Sequence, residues 1–224
     1  MEYEYGLKKE IQQTKIIFKT EEFVQNYFKT EGSGHDWWHI FRVRNMALEL
    51  RKSEGGDPFI IEMAALLHDL DDWKLKKEDD APNSRQWLKK VAVPKGIIEL
   101  IEEIINEVSF KGAGIETPAT TIEAKIVQDA DRLDAIGAIG IARAFAYGGN
   151  KGRLIYDPNV KSQLHQNFDA YKKGDSPTIH HFYEKLLLLK DRLNTVSAKN
   201  IAKKRHRFME MYIEQFFNEW ENKS

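Results

Sequence analysis

Along most of the chain apolar residues recur at three- and four-residue intervals, and no stretch alternates with period two or carries an Asn-Gly or Asp-Gly hairpin signal. The pattern predicts an all-α fold. Phe18, Phe23 and Tyr27 fall in a first helical region that stops near Glu31-Gly32-Ser33-Gly34, glycine being the residue that most often follows a helix C-terminus. A second helix begins at Asp36, a good N-cap. Ile40, Val43, Met46, Ala47 and Leu50 form its apolar stripe, and Gly55-Gly56 ends it. Asp57-Pro58 then supplies an N-cap and a proline at the first helical position, ahead of FIIEMAALLHDL, a segment apolar almost all round. Such a helix belongs at the centre of a core.

Beyond it lies an acidic stretch with Asp69, Asp71, Asp72, Glu78, Asp79 and Asp80, interrupted by Trp73 and three lysines. Further helices are expected over 83–92 and from Pro94 to Val108, the latter with isoleucines at 97, 98, 101, 104 and 105 on one face. SFKGAGIETPA, at 109–119, reads as a loop. Helical spacing resumes at Thr120 and runs to about Tyr147 through many small residues, before the glycine-rich loop Gly148–Gly152. Two more helices follow, one through Phe182–Leu193 and one carrying Met209, Ile213, Phe216, Phe217 and Trp220. No linker, repeat or low-complexity tract divides the chain, so a single helical domain over 1–224 is expected, with its core at about 20–150 and a helical C-terminal extension at about 160–222.

Composition narrows the chemistry. The chain has 224 residues, 34 basic against 35 acidic, and no cysteine. A net charge of −1 provides no general field for a nucleic-acid polymer or an anionic membrane. Without thiols, any metal must be held by nitrogen and oxygen. No apolar run approaches the ~18 residues of a membrane span, and the N-terminal residues have no signal-peptide pattern, so a soluble cytoplasmic protein is expected.

Polar residues interrupt the apolar faces at three places. His39 shares a helix face with Val43, Met46 and Leu50, where a histidine is either a hydrogen-bonded core residue or a ligand. His68-Asp69 ends the most apolar helix; a carboxylate buried there without a partner would cost several kcal/mol, so the pair is either a structural cap or half of a cation site. In VQDADRLDAIGAIG, Asp131 and Asp134 lie on a stripe with Val127, Ala130, Ala138 and Ile141. Asp129 and Arg132 occupy another face, spaced for a solvated or half-buried ion pair. Two imidazoles and two carboxylates make a nitrogen and oxygen ligand set suited to Mn²⁺, Fe²⁺, Co²⁺, Ni²⁺ or Mg²⁺ rather than to structural zinc.

His39 in HIFRV, His68-Asp69 in ALLHDLDDWK and Asp131 in DADRLDAIGA, in that order, resemble the H…HD…D signature of the HD superfamily of metal-dependent phosphohydrolases. GHDWWHIFRV, LLHDLDDWK, the SFKG loop and QDADRLDAIGA together resemble the bacterial stand-alone HD proteins that act as nucleoside-triphosphate pyrophosphohydrolases. The four blocks span roughly 34–150. The resemblance implies a single-domain HD-type helical bundle with His39, His68, Asp69 and Asp131 as metal ligands and Mn²⁺ as the leading ion. It also implies a (deoxy)nucleoside triphosphate as substrate, cut to monophosphate and pyrophosphate. A 5′-nucleotidase or other small-nucleotide phosphoesterase and a non-catalytic metal- or nucleotide-binding module are the competing readings. No GYP motif of the cyclic-dinucleotide phosphodiesterases is present. Where some members have glutamate three residues beyond the HD aspartate, this chain has Asp72.

On this reading the ion lowers the pKa of a bound water and polarises a phosphoryl oxygen, while Asp72 orients that water or takes its proton. Asp72 reads equally as an exposed acid. Substrate phosphates call for cations outside the ligand shell. Arg42, one turn after His39, and Lys111 in the SFKG loop are the leading choices, with His35, Lys74, Arg132 and Lys151 as further substrate contacts. His35 could instead pack against Trp37 or Trp38. His165, His180, His181 and His206 lie outside the four blocks and receive no chemistry, and the aromatic C-terminal stripe is read as helix packing or a homodimer surface.

Overall fold

The computed structural model describes residues 2–29, 36–71, 83–108, 117–161 and 176–223, and among them every regular element is helical. In order these are α1 (Glu2–Tyr27), α2 (Trp37–Glu54), α3 (Pro58–Leu67), α4 (Ser84–Lys90), α5 (Lys95–Val108), α6 (Ile122–Asp134), α7 (Gly137–Asn150), α8 (Thr178–Glu184), a 3₁₀ helix (Leu186–Arg192) and α9 (Val196–Trp220). The expected all-α class holds. The described residues gather into two compact units: α1 to α5 with Ala119 to Val127 at the start of α6, and the chain from Gln128 onward together with Thr117 and Pro118. The division therefore falls inside a helix, where no change in composition could mark it.

In the first unit the predicted caps form as expected. The Asp36 side chain accepts from the backbone N–H of His39 at 2.9 Å, and Asp57 accepts from those of Phe59 and Ile60 at 2.9 and 3.1 Å. Gly55 closes α2 at φ 86, a conformation that favours glycine. From Met63 on, α3 is buried on every side, with Ile61 and Met63 to Leu67 at 0% exposure, and it packs against α1, α2 and α5. Two polar joints set the surrounding helices. Arg44 on α2 donates to Glu62 on α3 and pairs with Glu21 on α1 at 3.3 Å. Trp87 on α4 stacks on Phe23 of α1 with centroids 3.9 Å apart, while its indole N–H donates to Thr20 at 2.9 Å. A buried tryptophan needs such an acceptor, and here the acceptor is on the helix against which its ring packs.

The second unit departs from the sequence pattern in two places. Helical spacing from Thr120 to Tyr147 predicts one helix, but α6 ends at Asp134, Ile136 is extended, and α7 starts at Gly137 with φ 78. The side chain of Arg205 on α9 lies where a Cβ of Gly137 would point, and it donates to the Leu133 carbonyl at the end of α6. An incoming arginine thus fills the corner and satisfies a helix-terminal carbonyl. Asp134 pairs with Arg143 across the break at 2.9 Å. The second departure is in Phe182–Leu193, where α8 gives way after Lys185 to the 3₁₀ helix. Leu186 and Leu189 are both buried there, the spacing of three that a 3₁₀ turn aligns on one side.

The sharp corner requires a close approach at Gly140, where a Cβ would run into the Ala135 carbonyl. Gly140→Ala is expected to cost about 1–3 kcal/mol by overpacking. Urea denaturation checks this, and an unchanged midpoint would show that the corner is not tightly packed.

Candidate metal centre

The most apolar helix delivers the most polar group in the first unit. α3 ends at Leu67, and the chain continues with helical φ/ψ at His68 and a turn in which the Leu70 N–H donates to the Leu67 carbonyl at 3.0 Å. This places His68 and Asp69 beneath α2, from which His39 descends. His39, His68 and Asp69 are 0%, 3% and 7% exposed. Nε2 of His39 lies 3.2 Å from Nε2 of His68 and 3.3 Å from an Asp69 carboxylate oxygen, and His68 Nε2 is 3.5 Å from the other oxygen.

The protons of His68 can be placed from its partners. Its Nδ1–H donates to the Ala65 carbonyl at 2.8 Å, an atom that can only accept, and this turns Nε2 toward His39 and Asp69. A backbone carbonyl holding the far nitrogen is the usual support of a metal-bound histidine, because it fixes both tautomer and ring orientation. The two imidazole nitrogens are 3.2 Å apart, and each faces a different oxygen of the one Asp69 carboxylate, at 3.3 and 3.5 Å. Ligands at about 2.1 Å from one ion are about 3.0–3.4 Å apart in octahedral or tetrahedral arrangement, so the cluster fits a divalent cation. Two nitrogens and a carboxylate, with no sulfur, match the hard-to-borderline ions expected from the sequence.

Of the other predicted residues, Arg42 lies half-buried one turn beyond His39 on α2. His35, Asp72, Lys74 and Lys111 lie outside the described residues. Asp131, Arg132 and Lys151 belong to the second unit. Asp131 is half-buried on α6, whereas Asp134, its neighbour on the predicted stripe, is the buried partner of Arg143. Lys151 is exposed at the end of α7; its ammonium and the Arg153 guanidinium lie 5.7 and 5.6 Å from the Tyr147 ring centre.

Asp129 and Arg132 are not the solvated or half-buried pair that their spacing suggests. Asp129 is fully buried and accepts from the backbone and side chain of both Asn194 and Thr195, at 2.7 to 2.9 Å. Arg132 is 6% exposed, and its guanidinium donates to the Arg192 carbonyl and, at 2.7 Å, to the Thr117 hydroxyl. Within the second unit it therefore braces α6 to the segment before α9. Burial pushes the Asp129 carboxyl above its ordinary value near 3.8, against the four hydrogen bonds that pull it down. Residues Asn194 and Thr195 carry no sequence signal for this role beyond Thr195 being a favourable N-cap.

Set beside known proteins, the chain matches the HD domain family over residues 37–136. It belongs to the HD superfamily and is a metal-dependent phosphohydrolase, with the His39, His68 and Asp69 cluster inside the matched region. YpgQ of Bacillus subtilis is 39% identical over 211 residues, covering 92% of this chain and 93% of that protein. The crystal structure of YpgQ in complex with ADP superposes with a TM-score of 0.72 over 91% of this chain and 97% of that one, at 38% identity. An HD-superfamily hydrolase from Bacillus thuringiensis is 46% identical, with a TM-score of 0.70 over 93% and 98% of the two chains. A Lactobacillus plantarum protein at 35% identity reaches 0.83 over 92% and 97%.

Two outcomes check these assignments. His68→Ala and Asp69→Ala should each weaken Mn²⁺ binding at least about tenfold, measured by calorimetric titration after chelation; wild-type affinity in either would exclude the cluster as the metal site. Asn194→Ala, by leaving the buried Asp129 carboxylate with fewer donors, should cost about 1–3 kcal/mol of stability. Its loss raises the folded pKa further, and a raised folded pKa means stability is lost as pH climbs from the ordinary carboxyl range, so denaturation should show a larger deficit at pH 8 than at pH 5.

Proposed function

We propose that this phosphohydrolase cleaves nucleoside or deoxynucleoside triphosphates to monophosphate and pyrophosphate. The observation that carries the proposal is a buried His39, His68 and Asp69 donor cluster in a chain whose close relative YpgQ has been crystallised with ADP. A phosphohydrolase whose relative holds an adenine nucleotide is well matched to a nucleotide substrate. The family resemblance adds Asp131 as the fourth ligand, the second carboxylate of the expected set. Bound in such a site, a divalent ion, Mn²⁺ foremost, supplies Lewis acidity toward a phosphoryl oxygen and lowers the pKa of water.

The chain's own residues take the remaining roles. His68, held by the Ala65 carbonyl, presents a fixed lone pair. Asp72, three residues beyond Asp69, is the base that orients the attacking water or accepts its proton, in the position where some relatives carry glutamate. Arg42 and Lys111 offset phosphate charge, with His35, Lys74 and Lys151 as further contacts. In the balanced reaction water adds oxygen and the bond between the α- and β-phosphates breaks, giving monophosphate, pyrophosphate and protons. A cytoplasmic location suits a nucleotide substrate.

Product analysis decides among substrates. With Mn²⁺ and a panel of nucleoside and deoxynucleoside triphosphates, chromatography should find monophosphate and pyrophosphate in equal amounts, and Asp72→Asn should reduce kcat by about 10²–10⁴-fold while leaving Mn²⁺ binding intact. Stepwise release of orthophosphate through a diphosphate, or turnover confined to monophosphates, would replace this reading with a phosphomonoesterase.

A further inference from the structure

Three aspartates fall within four positions at 69, 71 and 72, and a site that holds a cation must settle which of them faces it. Asp69 joins the two histidines. Asp71 has a different engagement: one of its carboxylate oxygens accepts the backbone N–H of Ser84 at 3.0 Å and the other accepts the Ser84 hydroxyl. Ser84 is 2% exposed at the first turn of α4.

α4 does not depend on Asp71 for its own termination. Asn83 already caps it, accepting from the Gln86 N–H at 2.9 Å while the Gln86 side chain accepts from the Asn83 N–H at 3.0 Å, a complete capping box. α4 is fixed independently by Trp87, which is stacked on Phe23 and bonded to Thr20, and by packing on α5. α5 in turn packs on α3, the helix that ends in the donor pair. The hydrogen bonds from Ser84 to Asp71 therefore close a ring of contacts from α3 through Asp71 to α4, α5 and back to α3. Their distinctive effect is to fix the chain two residues beyond Asp69 to an anchored helix.

From this geometry we infer that Asp71 and Ser84 form a positioning clasp for the metal centre: by occupying the Asp71 carboxylate, the clasp sets the register in which Asp69 meets His39 and His68. Asp71 is a positioning residue and touches neither ion nor substrate. The inference rests on the metal-centre reading of the cluster.

The test measures Mn²⁺ binding by calorimetry and thermal stability on full-length protein for Asp71→Ala, Ser84→Ala and the double variant, with His68→Ala as reference. Asp71→Ala and Ser84→Ala should each raise the Mn²⁺ Kd about tenfold, and the double variant should be no weaker than the weaker single one, because both remove the same interaction. Because α4 keeps its capping box, Ser84→Ala remains a folded variant in which affinity can be read. If both variants bind Mn²⁺ as the wild type does and only melt earlier, the clasp is purely structural and the inference is overturned. If the wild type binds no Mn²⁺, or His68→Ala binds it unchanged, the metal-centre reading itself fails and takes the inference with it.

Discussion

The first unit is organised around a buried cluster of groups that can together hold a cation. Two imidazole nitrogens and a carboxylate, nearly excluded from water, face one another at 3.2 to 3.5 Å. Each of these groups can offer a lone pair to a cation, and burial leaves little solvent to weaken such an attraction. Much of the surrounding architecture can be understood as keeping these groups from moving apart: Asp36 fixes the start of α2 at the His39 N–H, the Ala65 carbonyl fixes the His68 ring, and the full burial of α3 holds the end of that helix in place.

What could be recognised in the sequence is what is encoded locally. Asp36 and Asp57 announce their helices because an N-cap bonds to groups two or three residues away, and α3 announces its central position because no polar face interrupts it before His68. The same contrast drew attention to His68 and Asp69, since a histidine and an aspartate at the end of such a helix must be either a structural cap or part of a cation site. The break between α6 and α7 was hidden for the opposite reason. Alanines and glycines recur from Ala135 to Ala146 at spacings compatible with a continuous helix, and the side chain that occupies the corner, Arg205, comes from the distant α9. Asp129 and Arg132 were misread similarly: helical spacing paired them with each other, whereas their hydrogen-bond partners come from Thr117, Arg192, Asn194 and Thr195. Asp71 looked like one member of an acidic run because nothing local distinguishes a carboxylate held by Ser84 from one facing solvent.

The two units handle buried charge differently. In the second, Asp129 is surrounded by four hydrogen-bond donors from protein, a self-sufficient arrangement that stabilises a carboxylate without any ion. In the first, Asp69 lies beside two imidazoles, groups that can themselves bind a cation. Two buried aspartates thus have different neighbours, one bonded by Asn194 and Thr195 and the other set beside two imidazoles. Burial alone does not separate these roles; the balance of donors and acceptors does.

The ending of α3 at the donor cluster has a further electrostatic effect. Peptide dipoles aligned along a helix leave roughly half a negative charge at its C-terminal end. α3 directs that end, with its last carbonyls, toward His68 and Asp69. The backbone of the most water-excluded helix in the unit therefore reinforces the pull of the side chains on a cation, in surroundings where little solvent weakens the field. An apolar helix chosen for its packing is also a charged electrode, and its negative pole lies where the ion is required.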